Sequence, residues 1–175
     1  MYLTDSEIYE WAEEGGIIPF RPEHINPASI DLCLGSEWRD IEYPNTLNTP
    51  DKDGNICIFK ASDRNSHIHL PSAILAITEE WINIPDNMVG QIKLKSTPTR
   101  MGLGHPIADW IDPGYEGKLT LILNAVKDIK LPVGIRIVQL VLCKLSKSVN
   151  KSYFFTGHYQ GQTVPMPARS DYVRI

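Results

Sequence analysis

A chain of 175 residues, 42% of them apolar and 22% charged, can bury one complete core, and it lacks the run of roughly 18 apolar residues that a membrane helix needs. Its formal net charge of -4 argues against stable binding to DNA or RNA, which draws on cationic surface, yet leaves room for a small polyanion in a local basic pocket. Cys33, Cys57 and Cys143 are far apart, odd in number and set in apolar runs, which predicts buried free thiols in a reducing compartment, the cytoplasm.

The start, MYLTDSEIYEWAEEGG, is acidic and lacks the basic-then-apolar order of a secretory signal. Thr4 and Glu7 have capping-box spacing, Ile8, Trp11 and Ala12 form an apolar stripe, and Gly15-Gly16 stops the short helix so predicted. In SIDLCLG, Ile30, Leu32 and Leu34 fall on one side and Ser29, Asp31 and Cys33 on the other. That pattern predicts a half-buried strand ending at Gly35. Residues 44–55, with Asp53-Gly54, predict a surface hairpin or loop.

NICIFK, SHIHL, SAILAITEEWINIP and MVGQIKLKS are strand-like, as are KLTLILNAV and GIRIVQLVLCKLS, with KDIKLPV as the connection between these last two. Many short strands and few helical stretches predict a mainly β protein, a barrel or sandwich. GQTVPMPARSDYVRI is broken by glycine and proline and predicts a tail that stays mobile unless a ligand or a neighbouring subunit fixes it.

Three stretches offer chemistry. Lys95, Ser96, Thr97 and Arg100 lie within six positions at a strand end. Cations, hydroxyls and turn amides suit phosphate oxygens, although a solvated turn with capping hydroxyls has the same composition. Asp112 precedes a Pro-Gly reversal beside Tyr115. The acid suits activation of water and the ring suits stacking, while an Asx-type turn cap is the plainer alternative. In the next strand, period two puts Lys118, Thr120, Ile122 and Asn124 on one side and Leu119, Leu121 and Leu123 in the core. Ile122 is the odd member of the polar side. His105 fits a satisfied turn histidine better than a ligand donor. Gln139, inside IRIVQLVL, is expected to be a buried amide that ties strands or faces a subunit junction. His67 and His69 alternate as a weak metal pair, and no cysteine has the neighbours in sequence that a zinc site or a thiolate catalyst needs.

In order, the blocks MYLTDSEI, INPASIDLCLG, KSTPTRMGLG, WIDPGYEG, GIRIVQL and YQGQ resemble the dCTP deaminase/dUTPase superfamily, specifically its dCTP deaminase branch. The resemblance covers nearly the whole chain. It implies a distorted jelly-roll-like β barrel of the dUTPase type with a short N-terminal helix. It also implies one domain over residues 1–175, with 158–175 a C-terminal tail or lid. The implied assembly is a homotrimer with active sites in clefts between subunits. Its ligand is a pyrimidine deoxynucleoside triphosphate carrying Mg²⁺, and no protein residue is a metal ligand.

By position, Ser96, Arg100, Lys95 and Thr97 match the phosphate-binding block, with Lys95 replacing the usual arginine. His105 and Ala108 match base-recognition positions, although the chain is one residue shorter around Gly104. Asp112 would orient the nucleophilic water and Tyr115 would lie under the sugar. Gln139, Tyr159 and Gln162 would close the site from an adjacent subunit. Trp110 matches the tryptophan of bifunctional deaminase–dUTPases. Ile122 stands where the deaminases have the glutamate that shuttles protons. Isoleucine carries no proton, and loss of such a group costs about 10²–10⁴-fold in rate. The resemblance with this departure implies a dUTP diphosphatase-like hydrolase of nucleotide metabolism that forms dUMP and pyrophosphate. The alternatives are a dCTP deaminase releasing ammonia and dUTP, and a non-catalytic nucleotide-binding or regulatory trimer.

Overall fold

Apolar alternation sets most of the strands, and a computed structural model, which describes residues 1–40, 59–60, 67–70, 73–105 and 109–167, shows how they pair. Helix α1 (Asp5–Trp11) begins where Thr4 N–H donates to Glu7 Oε2 at 3.0 Å. Ile8 and Trp11 are buried, and the helix ends in a wide turn, Ala12–Gly16. Then follow β1 (Ile17–Ile18), a 3-10 turn (Pro22–His24), β2 (Ile25–Asn26), β3 (Ser29–Asp40), β4 (Phe59–Lys60), β5 (His67–Leu70), β6 (Ala73–Asn83) and β7 (Met88–Leu94). The second half holds α2 (Ser96–Arg100), β8 (Leu103–Gly104), β9 (Trp110–Ile111), β10 (Glu116–Ala125), β11 (Ile129–Pro132), β12 (Arg136–Lys144) and α3 (Tyr153–Thr156).

The main sheet runs β8-β10-β6-β3-β12-β7-β9, with β1 on β6 and both β2 and β4 on β3, and it curls into a half-barrel. β5 and β11 form a separate pair. Every described pairing is antiparallel. The protein is thus mostly β with one N-terminal helix, as the sequence pattern predicts. No helix among the described residues is long and apolar enough to cross a membrane.

Strand β3 corrects two expectations. It does not end at Gly35 but continues to Asp40, its first half pairing with β12 and its second with β6. A Cβ on Gly35 would sit 2.9 Å from the Ile77 carbonyl oxygen, so the glycine lets β3 cross onto β6 with backbones nearly touching. Nor is the strand half-buried, because Ser29, Asp31 and Cys33 are enclosed along with Ile30, Leu32 and Leu34. Asp31 survives burial because Asn26 Nδ2 (2.9 Å), Lys95 Nζ (2.5 Å) and Arg136 Nη1 (3.3 Å) all donate to it.

The leucines of β10 are core, with Leu121 and Leu123 fully buried. The connection expected at KDIKLPV contains a strand, β11, which finds its partner in β5 far back in the chain. Cys33 is a buried free thiol as expected, while Cys143 is only half-buried. Residues 44–55, Cys57, Ala108, the chain after Pro167 and the side chains of His67 and His69 lie outside what is described.

Candidate active site

The sequence Asp112-Pro113-Gly114-Tyr115 folds as a tight reversal in which Tyr115 N–H donates to the Asp112 carbonyl at 3.1 Å and Gly114 takes φ 85°. Proline then glycine at the central positions is what a type II turn requires. A side chain at Gly114 would also collide with Ser152, since a Cβ would lie 2.0 Å from its Oγ. β9, hydrogen-bonded to β7, delivers Asp112 to the turn, and β10 departs from it.

Between these strands lies a cavity of about 470 Å³, within the range of small-molecule sites. Ile92 of β7 and Ile111 of β9 line one side, and Leu75 of β6 with Leu119, Thr120 and Ile122 of β10 line another. Ile122 and Leu75 are register partners across β10 and β6. A bulge between Lys118 and Thr120 re-aims β10 here. The buried Thr78 hydroxyl serves it, accepting from Leu119 N–H at 2.9 Å and donating to the Glu80 carbonyl at 2.9 Å.

Asp112 and Tyr115 both line the cavity. Asp112 is exposed and accepts from Trp110 Nε1 at 3.0 Å. Tyr115 is buried, its hydroxyl donates to the Lys118 carbonyl at 2.5 Å, and its ring lies 5.9 Å from that of Tyr153. Burial, with the Tyr153 ring adding, pushes the Tyr115 hydroxyl well above its ordinary range, so it stays protonated and contributes a neutral ring.

The C-terminal segment completes the enclosure through Tyr159, Gln162, Met166 and Pro167. It docks on its own chain's β10. Lys118 N–H donates to the Gln162 carbonyl (2.9 Å) and Gly161 N–H to the Glu116 carbonyl (2.8 Å), extending β10 sideways. Thr120 Oγ1 donates to Gln162 Oε1 (2.6 Å) and accepts from Met166 N–H (3.2 Å), while Gln162 Nε2 donates to the Tyr159 carbonyl (3.0 Å). These bonds hold residues 159–166 against β10.

Asp112, Tyr115, Ile122, Tyr159 and Gln162 thus meet in one cavity. The predicted phosphate block does not join them. Ser96, Thr97 and Arg100 are exposed on α2, and Lys95 is half-buried with its ammonium held by Asp31. Gln139 is half-buried rather than buried, opposite Asp31 and Lys93 in register. His105 touches the site from behind. Its Nδ1–H donates to the Ile122 carbonyl at 2.7 Å, while its buried Nε2 has no partner among the described residues. Thr120 and Tyr153 are cavity residues that reading by motif passes over. Thr120 was visible as a polar-side neighbour of Ile122, whereas Tyr153 had no signal until the fold brought it beneath Tyr115.

A curled antiparallel sheet enclosing a small-molecule cavity with one turn-held carboxylate defines the class, and sequence comparison supplies the family. The family model "dCTP deaminase-like" matches residues 2–145, and this chain belongs to that family. It is 35% identical over 184 residues to "dCTP deaminase, dUMP-forming" of Acidothermus cellulolyticus, covering 97% of this chain and 95% of that protein. The protein of the same name from Persephonella marina is 35% identical over 170 residues, covering 93% of each chain. The crystal structure of the 2'-deoxycytidine 5'-triphosphate deaminase from Agrobacterium tumefaciens superposes with a TM-score of 0.63 at 19% identity, over 81% of this chain and 47% of that one. The fold is that of this dCTP deaminase.

Proposed function

We propose that this chain hydrolyses dUTP, or a related pyrimidine deoxynucleoside triphosphate, to the monophosphate and pyrophosphate. One observation carries the reading: among the described residues lining the cavity Asp112 is the one carboxylate, while Ile122, at the position the resemblance gives to the deaminases' glutamate, makes the wall apolar. The name shared by the relatives, with dUMP as its product, supports the same end point. Asp112 accepts a proton from a water that attacks the α-phosphorus. The bond from that phosphorus to the α–β bridging oxygen breaks, and pyrophosphate leaves with the electron pair. Tyr115 supports the sugar, and the apolar wall of Leu75, Ile92 and Ile122 gives the base no proton donor or acceptor side chain.

The site is completed in a homotrimer. Ser96, Thr97 and Arg100, exposed and not among the residues lining their own chain's cavity, would meet the triphosphate in a neighbour's, with Lys95 anchoring the start of α2 through Asp31. His105 and Ala108 would set the base-recognition turn and Gln139 the subunit junction. Mg²⁺ arrives with the triphosphate as part of the substrate. A cytoplasmic location fits such a role.

Purified protein with Mg²⁺ and dUTP is expected to release pyrophosphate. Asp112→Asn is expected to lower kcat about 10²–10⁴-fold with little change in KM. Absence of turnover with every pyrimidine deoxynucleoside triphosphate would leave the non-catalytic binding trimer as the reading. The second reading, deamination of dCTP, is favoured by the relatives' shared name and predicts ammonia from dCTP. With Ile122 in the wall, that ammonia assay is expected to be silent.

A further inference from the structure

Away from the cavity, three side chains from three elements converge: His24 at the end of the 3-10 turn, Cys33 in β3 and Glu80 in β6. One potential ligand atom from each lies within 4.8 Å of the other two, with Cys33 Sγ 4.0 Å from His24 Nδ1. We propose that His24, Cys33 and Glu80 form a structural site for a zinc-type divalent ion, independent of the hydrolytic cavity.

Three arguments converge on this site. The first is donor chemistry: a thiolate, an imidazole and a carboxylate together suit a borderline-soft ion such as Zn²⁺ and not Mg²⁺ or Ca²⁺, which take all-oxygen sets. Geometry is the second. Bonds of about 2.0–2.3 Å at tetrahedral angles put ligand atoms roughly 3.5 Å apart, so the cluster needs to close by at most about 1.3 Å. The third is electrostatic. Glu80 is 1% exposed and Cys33 3% exposed, so the two acids are shut in together. Cys33 N–H donates to Glu80 Oε2 at 2.9 Å, which fixes the carboxylate beside the thiol. A dication between them would offset the cost of burying two anionic ligands together, the thiol proton leaving to solvent as the ion binds.

The charge that now occupies this place is Arg21. Its Nη1 donates to Glu80 Oε1 at 3.2 Å and its Nη2 to Glu79 Oε1 at 2.6 Å. Arg21 can cede Glu80 to an ion while keeping the shorter bond to Glu79. His24 is half-buried beside exposed Pro22 and Glu23, which gives the ion a path from solvent. None of the three residues lines the cavity. Their joint effect is to pin the His24 turn onto the β3–β6 crossing.

The test uses the full-length chain, reduced and stripped with a chelator, then titrated with Co²⁺ as a spectroscopic substitute for Zn²⁺. A sulfur-to-cobalt charge-transfer band saturating at one equivalent is expected, retained in Cys57→Ser and Cys143→Ser and lost in Cys33→Ser. His24→Ala, at a half-buried position, is expected to weaken Co²⁺ binding by more than about tenfold, the least that even an outer-sphere partner is worth. Zn²⁺ should raise the Tm of the wild type and not of His24→Ala. No band, a band surviving Cys33→Ser, or an equal Tm rise in His24→Ala would overturn the proposal. If Cys33→Ser does not fold, His24→Ala decides by itself, folding being checked by circular dichroism.

Discussion

Trp110 is 58% exposed, and its indole N–H donates to the carboxylate of Asp112. The ring therefore sets where the acid points, and any water Asp112 orients inherits that geometry. Trp110→Phe keeps the ring and removes the donor. It is expected to lower kcat for dUTP by about tenfold, the lower end of what one hydrogen bond to a charged group is worth, since this bond is exposed, with little change in Tm. Steady-state kinetics beside thermal unfolding separates the two. Tyr115 differs, because its hydroxyl is committed to the Lys118 carbonyl and only its ring remains for a ligand. Asp112, Tyr115 and Ile122 were legible in the sequence because turn chemistry and two-residue periodicity are local. The bond from Lys95 to Asp31 was not, since 64 positions separate the pair. Composition offers that lysine to phosphate or to a solvated turn, and neither reading shows its bond to a buried acid.

The Asp112–Tyr115 turn is gripped by the C-terminal segment: Tyr153 N–H donates to the Pro113 carbonyl at 2.9 Å and Gln160 Nε2 to the Gly114 carbonyl at 2.9 Å. Gly114→Ala puts a Cβ into both a left-handed backbone and the Ser152 hydroxyl. It should cost about 1–3 kcal/mol in urea unfolding and raise amide exchange at Gly161 and Lys118 as the segment loosens. At the other end of the chain, Lys144 Nζ of β12 donates to Glu7 Oε1 at 2.6 Å, tying α1 to the sheet. That bond, with those from Thr4, lowers the Glu7 carboxyl from 4.5 to about 2. A depressed acid contributes stability above its unfolded value, lost as pH falls from about 4.5 through 2. Lys144→Met is expected to return the Glu7 carboxyl toward 4.5 in an NMR titration and to flatten stability across that window. At this scale the sequence was informative where an element has its own signal, as at the Thr4–Glu7 box. It was misleading where the partner decides. β11 carries a lysine and a proline and is a strand only because β5 lies beside it, and β3 passes through Gly35 because β6 needs the space.

For the molecule as a whole, the distribution of charge is the unresolved tension. The cavity holds Asp112 and Tyr115 but none of the exposed residues Ser96, Thr97 and Arg100, and its described lining contains no lysine or arginine to meet a triphosphate. A net charge of -4 gives no diffuse attraction to make up for this. Cations brought by a neighbouring copy resolve it, and cyclic symmetry would then supply each cavity with one neighbour's α2. The proposal can be checked by mixing two defective chains. Asp112→Asn lacks the water-orienting acid and Arg100→Ala lacks the phosphate fork, so each alone is expected to be nearly inactive. In trimers reassembled from equal amounts, a site is intact when its cavity comes from the Arg100→Ala chain and its α2 from the Asp112→Asn chain. Random cyclic association makes that about a quarter of the sites. Recovery of about that share of wild-type activity, together with a trimeric mass by light scattering, is the expected outcome. A mixture no more active than its components would mean that Arg100 serves its own chain's acid or none, and the shared-site reading would fail.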